Sequence, residues 1–197
     1  MSTVDQAREL ARSIIGTGTA SGLRTHAVLT DMNENLGTTA GNAVELREAA
    51  GFLTGGAREP RLDEVTSSLV AEMLIVGRLE TDHQQAEERI EQAISSGRAA
   101  EVFGKMLGAL GGPTDFLERY DSYLPAAAIQ RAVPAGSAGY LSSVDGRCFG
   151  NAIIELGGGR RRLDDELDLS VGFTEVLPIG SRLEGDTPLA VIHAANE

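Results

Sequence analysis

Ala27-Val28-Leu29-Thr30 is a short apolar run that stands between two helical patterns, with no second strand pattern near it. Its length and β-preferring residues predict a buried strand over 24–30. A lone strand cannot pair its own N–H and C=O groups, and one buried on both faces needs strands beside it and helices above and below. The expectation is a strand whose partners these residues do not supply, so the chain reads as a piece of something larger.

On the N-terminal side, Thr3 and Gln6 form a capping box, and Val4, Ala7, Leu10, Ala11, Ile14 and Ile15 recur at helical spacing until the glycine-rich stretch ending at Gly22. On the other side Gly41 opens a helix bearing Leu46, Ala49, Ala50 and Leu53. Residues 1–56 therefore read as a partial α/β domain, helix-strand-helix. Residues 57–123 carry only helical patterns. Leu62, Val65, Leu69, Met73 and Val76 form one stripe, and Thr81 with Gln84 caps a helix continued by Ala86, Ile90 and Ala93. Gly97 closes that helix, Val102, Met106 and Leu110 mark another, and Gly111-Gly112-Pro113 precedes a short helix at Phe116. These helices form a connecting layer.

In residues 124–197 the period changes to two. Ile129 and Val133 alternate with Gln130 and Ala132, Gly136-Ser137-Ala138-Gly139 reads as a turn, and 140–144 as the paired strand. Ala152, Ile153 and Leu156 mark a helix ended by Gly157-Gly158-Gly159, with short strands near 169–173 and 189–193. The rhythm of 171–192 resembles a barrel-sandwich hybrid, as in lipoyl and biotinyl modules. A carrier module needs a lysine at a hairpin tip, and the only lysine, Lys105, lies on a helical stripe. The expected class is α/β: an incomplete central layer, connecting helices and a C-terminal α+β domain.

The 197 residues carry a net charge of −12, with acids spread along helices, which argues against a nucleic-acid or anionic-membrane surface and for small molecules or proteins as partners. Cys148 stands alone, His26, His83 and His193 lack zinc spacing, and no apolar run approaches a bilayer's width. A cytoplasmic location fits.

There is no Gly-x-Ser-x-Gly elbow, Gly16-Thr17-Gly18 is not a phosphate-binding fingerprint, and Cys148 reads as a small core residue. Asp164, Asp165, Glu166 and Asp168 read as a solvated loop, the three histidines as structural, and Glu45 and Glu48 as carboxylates at the positive end of a helix. The run from Gly157 to Arg162 supports two readings. Its glycines and arginines could close over an anionic ligand, or the arginines could pair with the acids that follow.

Leu29-Thr30-Asp31-Met32-Asn33, Gly41-Asn42-Ala43-Val44-Glu45-Leu46-Arg47-Glu48-Ala49 and Glu101-Val102-Phe103-Gly104-Lys105-Met106-Leu107 together resemble the thymidine phosphorylases of the pyrimidine nucleoside phosphorylase family. Gly111-Gly112-Pro113-Thr114-Asp115-Phe116, Leu156-Gly157-Gly158-Gly159-Arg160, Ser170-Val171-Gly172-Phe173-Thr174-Glu175 and Pro188-Leu189-Ala190-Val191-Ile192-His193-Ala194 continue the resemblance in the same order. It implies a cytoplasmic, homodimeric salvage enzyme that exchanges a pyrimidine base for phosphate on deoxyribose. It covers all these residues but about the C-terminal half of a family member. The phosphate loop and the base-binding Arg, Ser and Lys set have no match, so no catalytic or substrate-binding residue is assigned.

The resemblance does imply a monovalent-cation site, potassium in kind, with carbonyls of Leu36 and Thr39 and the carboxylate of Glu48 as ligands and the remaining ligands upstream, so that a chain lacking those is expected to bind the cation poorly. Thr39 departs from the small apolar residue usual there, which a carbonyl ligand tolerates. It also makes Gly157, Gly158, Gly159, Arg160 and Arg161 a flexible loop at the mouth of the inter-domain cleft. The alternatives are a broader phosphorylase that also accepts uridine, and a noncatalytic scaffold that kept these layers for association.

Overall fold

The computed structural model describes residues 3–197. Seven helices and six short strands form a mixed α/β fold among the described residues. Helix α1 (Val4–Ala20) is capped as expected, Thr3 Oγ1 accepting the Gln6 N–H at 3.2 Å. Its apolar stripe is not covered: Val4, Leu10 and Ile14 are exposed, and none of its residues is buried.

The expected strand over 24–30 does not form. These residues carry no regular secondary structure and belong to no ladder among the described residues, and Leu29 is half exposed. The reason is the one the sequence raises: a ladder requires a neighbour, and none lies beside this run. Side chains secure it instead. His26 Nδ1 lies 2.6 Å from Glu72 Oε2, and Arg61 donates to the carbonyl of Asp31. Within 1–56 the strand between the two helices is instead the two-residue β1 (Ala40–Gly41).

After this run come β1 (Ala40–Gly41) and α2 (Ala43–Leu53), then α3 (Pro60–Val76), α4 (His83–Ser95), α5 (Arg98–Ala109) and α6 (Phe116–Tyr123). The packed face of α3 lies one residue from the expected stripe. Val70, Ala71 and Leu74 meet Ala86, Ile90 and Ile94 of α4, whereas Leu69 and Met73 are exposed. Ala71 and Ala86, both essentially inaccessible, let the two helices approach closely. The cap of α4 is Asp82 rather than Thr81, its carboxylate accepting the Gln85 N–H at 3.0 Å.

The remaining elements are β2 (Ile129–Pro134), β3 (Gly139–Tyr140), α7 (Gly146–Glu155), β4 (Gly172–Thr174), β5 (Arg182–Leu183) and β6 (Pro188–Ala194). They form an antiparallel sheet in the order β1-β4-β6-β2 and a ribbon, β3-β5. The expected β2–β3 hairpin is absent. β2 runs along β6 from Ile129 opposite Ala194 to Val133 opposite Ala190, a longer ladder than two residues of β3 can offer. Helix α7 lies on this sheet. Phe149 packs on Phe173 with ring centroids 4.5 Å apart, beside Ile153, Leu156, Val176 and Ala190.

One of the sheet's two edge strands, β1, comes from the N-terminal part of the chain, with Gly41 directly opposite Gly172. A Cβ on Gly172, whose φ is +150°, would lie 2.4 Å from the Ala40 carbonyl oxygen, and one on Gly41 would lie 2.7 Å from that of Val171. Both contacts are with backbone, which has no rotamer to yield. Gly172→Ala is expected to destabilise the fold by about 2 kcal/mol or more, read as a lower urea midpoint. An unchanged midpoint would show that the β1–β4 contact is dispensable.

Candidate functional site

The centre of the candidate site is Glu48, one turn into α2. Its Oε1 accepts the Thr38 N–H at 2.8 Å and the Thr38 hydroxyl at 2.7 Å, and its Oε2 accepts the Thr39 hydroxyl at 2.6 Å. Gly37 makes this possible, since a Cβ there would lie 2.4 Å from Glu48 Oε2. Helix-dipole stabilisation, the reading from sequence, therefore describes little of what Glu48 does. Glu45 serves the helix start, its Oε1 accepting the Gly41 N–H at 2.8 Å.

Glu48, Thr38 and Thr39 line an open cavity of about 750 Å³ whose other walls include Arg47, Ser170, Thr174 and His193. That volume lies within the range of small-molecule sites. Arg47 Nε donates to Asp121 at 2.7 Å, and Asp168 fixes Ser170 through both its N–H and its hydroxyl. His193, only 9% exposed, shares a 2.9 Å hydrogen bond with the Thr174 hydroxyl. Burial, followed by the charge of Arg47, holds its imidazole below the ordinary histidine range.

The loop after α7 is tied to the same helix. Helix α7 ends in a Schellman motif, Gly158 N–H bonding Ile153 and Gly157 N–H bonding Ile154, with Gly157 at φ +94°. Asp168 N–H returns to the Gly157 carbonyl, closing the loop, and Asn42 Nδ2 donates to the Gly158 carbonyl at 2.8 Å. Within it Asp165 Oδ2 accepts the N–H groups of Arg161 and Arg162, and Arg160 Nε donates to the Asp165 carbonyl. The Arg161 guanidinium pairs with Glu155, and that of Arg162 lies 3.4 Å from Asp164. The local pairing weighed from sequence is what the side chains adopt here. The acidic run contributes by bonding these arginines.

Two features were not legible. Glu72 of α3 bridges His26 and His83, the latter at 2.8 Å from Oε1, and the two imidazole hydrogen bonds, that of His26 first, hold its carboxyl below the usual carboxylate range. No spacing links residues 26, 72 and 83. Among the described residues no group of three His, Cys, Asp or Glu side chains is arranged to hold a metal. Cys148 is not the expected core residue. It is exposed in the first turn of α7, where its N–H bonds Asp145 Oδ1 at 3.0 Å, and that carboxylate raises the thiol's pKa through a side-chain hydrogen bond, away from nucleophilic activation.

Residues 1–100 match the family model described as glycosyl transferase family, a/b domain, and residues 140–197 match the pyrimidine nucleoside phosphorylase C-terminal domain. The chain belongs to the pyrimidine nucleoside phosphorylase family. Its members are pentosyl transferases, and the family points to nucleoside and phosphate as substrates. The two matched regions meet at the cavity: Thr38, Thr39 and Glu48 come from the first, Ser170, Thr174 and His193 from the second. No helix among the described residues is long and apolar enough to cross a membrane.

The depressed His193 value has a defined sign. The unfolded chain binds a proton there more readily than the folded one, so the neutral imidazole contributes stability above the ordinary histidine value of about 6.5. That contribution is lost as pH falls through the folded value. An NMR titration of His193 is expected to give a midpoint below that of an unstructured peptide, with a urea midpoint that falls between pH 7 and 5. A midpoint at or above the peptide value would contradict it.

Proposed function

We propose that this chain is part of a thymidine phosphorylase, acting in the cytoplasm as a homodimer and catalysing reversible phosphorolysis of thymidine to thymine and 2-deoxyribose 1-phosphate. The observation that carries the reading is the occurrence, in one chain and joined at one cavity, of the transferase a/b region and the phosphorylase C-terminal region. In this reaction a phosphate oxygen forms a bond to the anomeric carbon as the bond to the base nitrogen breaks. The base leaves with the electron pair and takes up a proton. The groups that stabilise phosphate and departing base are not matched in these residues, so this chain's part is to shape and close the cleft. Thymidine and uridine would be separated by a competition assay in the intact enzyme. The exposed apolar side chains of α1 favour the second reading, an association scaffold.

A monovalent cation fits the chemistry of the Glu48 site. The donors are hard oxygens, and Glu48 Oε2 accepts one described hydrogen bond where Oε1 accepts two, leaving it capacity for a ligand bond. Glu48 and the carbonyls of Leu36 and Thr39 would hold potassium, which would brace the 36–39 loop by charge. Potassium is expected to raise the melting temperature of an intact family member above its value in lithium at equal ionic strength, and glutamine in place of the residue equivalent to Glu48 to abolish the difference. Glu48→Gln should also cost about 1–3 kcal/mol in either salt, because charge-assisted acceptors of three donors are replaced. Equal melting temperatures in the two salts would remove the cation from the reading.

Gly157, Gly158, Gly159, Arg160 and Arg161 are assigned to gating the cleft, the arginines exchanging their local partners for substrate as the domains close. In an intact family member, replacing the residues equivalent to Arg160 and Arg161 by alanine is expected to lower kcat/KM by roughly tenfold or more. Unchanged steady-state constants would discard the assignment. Phosphorolysis by the isolated 197-residue chain would overturn the placement of the catalytic groups elsewhere.

A further inference from the structure

The Glu72 carboxylate of α3 lies between two imidazoles that the fold brings together from distant parts of the sequence. His26 Nδ1 is 2.6 Å from its Oε2, and His83 Nε2 is 2.8 Å from its Oε1. Each ring has an oxygen of its own, which is the geometry of two hydrogen bonds and not of a shared metal ion. The three residues stand on three segments: the run at 24–30, α3 and the first turn of α4. An ionised carboxylate only accepts, so both of these nitrogens must carry a proton. In the charged imidazolium they always do. In the neutral ring only one of the two tautomers qualifies, Nδ1–H for His26 and Nε2–H for His83.

This bridge holds a segment that no ladder holds. Residues 24–30 make no backbone–backbone hydrogen bond among the described residues, none of them is buried, and the nearest other tether is the Arg61 bond to the Asp31 carbonyl just beyond. The run joins α1 to the loop that carries Thr38 and Thr39. Both imidazoles are substantially exposed, so solvent screens the pairing and its effect on global stability is small. Opening a segment outside any ladder costs little, however, and a modest change in pairing is enough to alter how firmly it is held.

We propose that His26, Glu72 and His83 form a proton-dependent clasp, which fastens the 24–30 run to the α3–α4 pair when both rings are charged and loosens as they lose their protons. Anion and cations coexist between the ordinary glutamate value of about 4.3 and the ordinary histidine value of about 6.5. Both bonds are then charge-assisted, and above that range each falls back to a neutral bond that one tautomer alone can make. On the acid side the two imidazole hydrogen bonds, that of His26 first, hold the Glu72 carboxyl below its usual range. A depressed carboxylate contributes above its ordinary value and is lost only as pH falls through the lowered one, so the clasp reaches further into acid. Neighbouring charges do not replace any of the three groups. One turn from Glu72 stand Ser68, Leu69, Ile75 and Val76, and residues 17–20 at the end of α1 are uncharged as well. Around His83, Glu80 pairs with Arg89 and Asp82 is spent on Gln85, while Arg78 and Glu87 on either side are opposite in sign. Arg24, two residues before His26, adds a cation that favours loosening at no particular pH. The clasp is independent of the phosphorolysis reading.

The test is ¹⁵N relaxation of the labelled 197-residue chain at about pH 5.5 and about pH 7.5, on either side of the ordinary histidine value. Order parameters of the amides of 25–30 are expected to fall from roughly 0.85 at the lower pH toward 0.6 at the higher. Glu72→Gln, which keeps the shape and removes the anion, is expected to leave them low and equal at the two pH values. His26→Gln, which cannot titrate, should do the same through the other partner. Order parameters that do not change with pH in the wild-type chain, or a pH dependence of wild-type size in either variant, would overturn the proposal.

Discussion

Gly41 and Gly172 face each other across two antiparallel strands at a separation only hydrogen atoms on both Cα positions permit. Everything at the candidate site depends on this contact. It attaches β1, and with it the start of α2, to the sheet that carries His193 and Thr174. The cavity then arises between a helix from one region of the chain and strands from another. Val171, the largest fully buried side chain, lies immediately beside Gly172, so close backbone approach and complete burial coincide.

Around that junction, acids act mainly as acceptors for local backbone and side-chain donors. Glu48 gathers the Thr38–Thr39 turn, Glu45 serves the Gly41 N–H, Asp165 organises two arginine N–H groups, and Asp168 orders Ser170. In these four cases the carboxylate is spent on neutral N–H or O–H donors close to it in sequence, in a chain whose net charge is −12.

Much of this was legible where a local rule decides. The Thr3 cap, the glycine stop after α7, the helical middle section and the antiparallel β-rich end follow from capping chemistry, glycine freedom and period. The motif order pointed to the family before any geometry. What was not legible depends on long-range choice. β2 forsakes the nearby β3 for β6, and α3 turns Ala71 rather than Leu69 or Met73 to its neighbour because small side chains permit a closer approach. Glu72 meets two histidines remote in sequence, and Glu48 looks like an ordinary acid in the early turns of a helix until Gly37 is seen beside it.

The irregular run at 24–30 separates two properties that usually travel together. Its position is fixed by side-chain tethers, His26 to Glu72 and Arg61 to the Asp31 carbonyl, while none of its main-chain amides enters a ladder among the described residues. Such a segment is placed without being shielded. Its peptide N–H groups, outside any ladder, exchange with solvent protons without a ladder having to open.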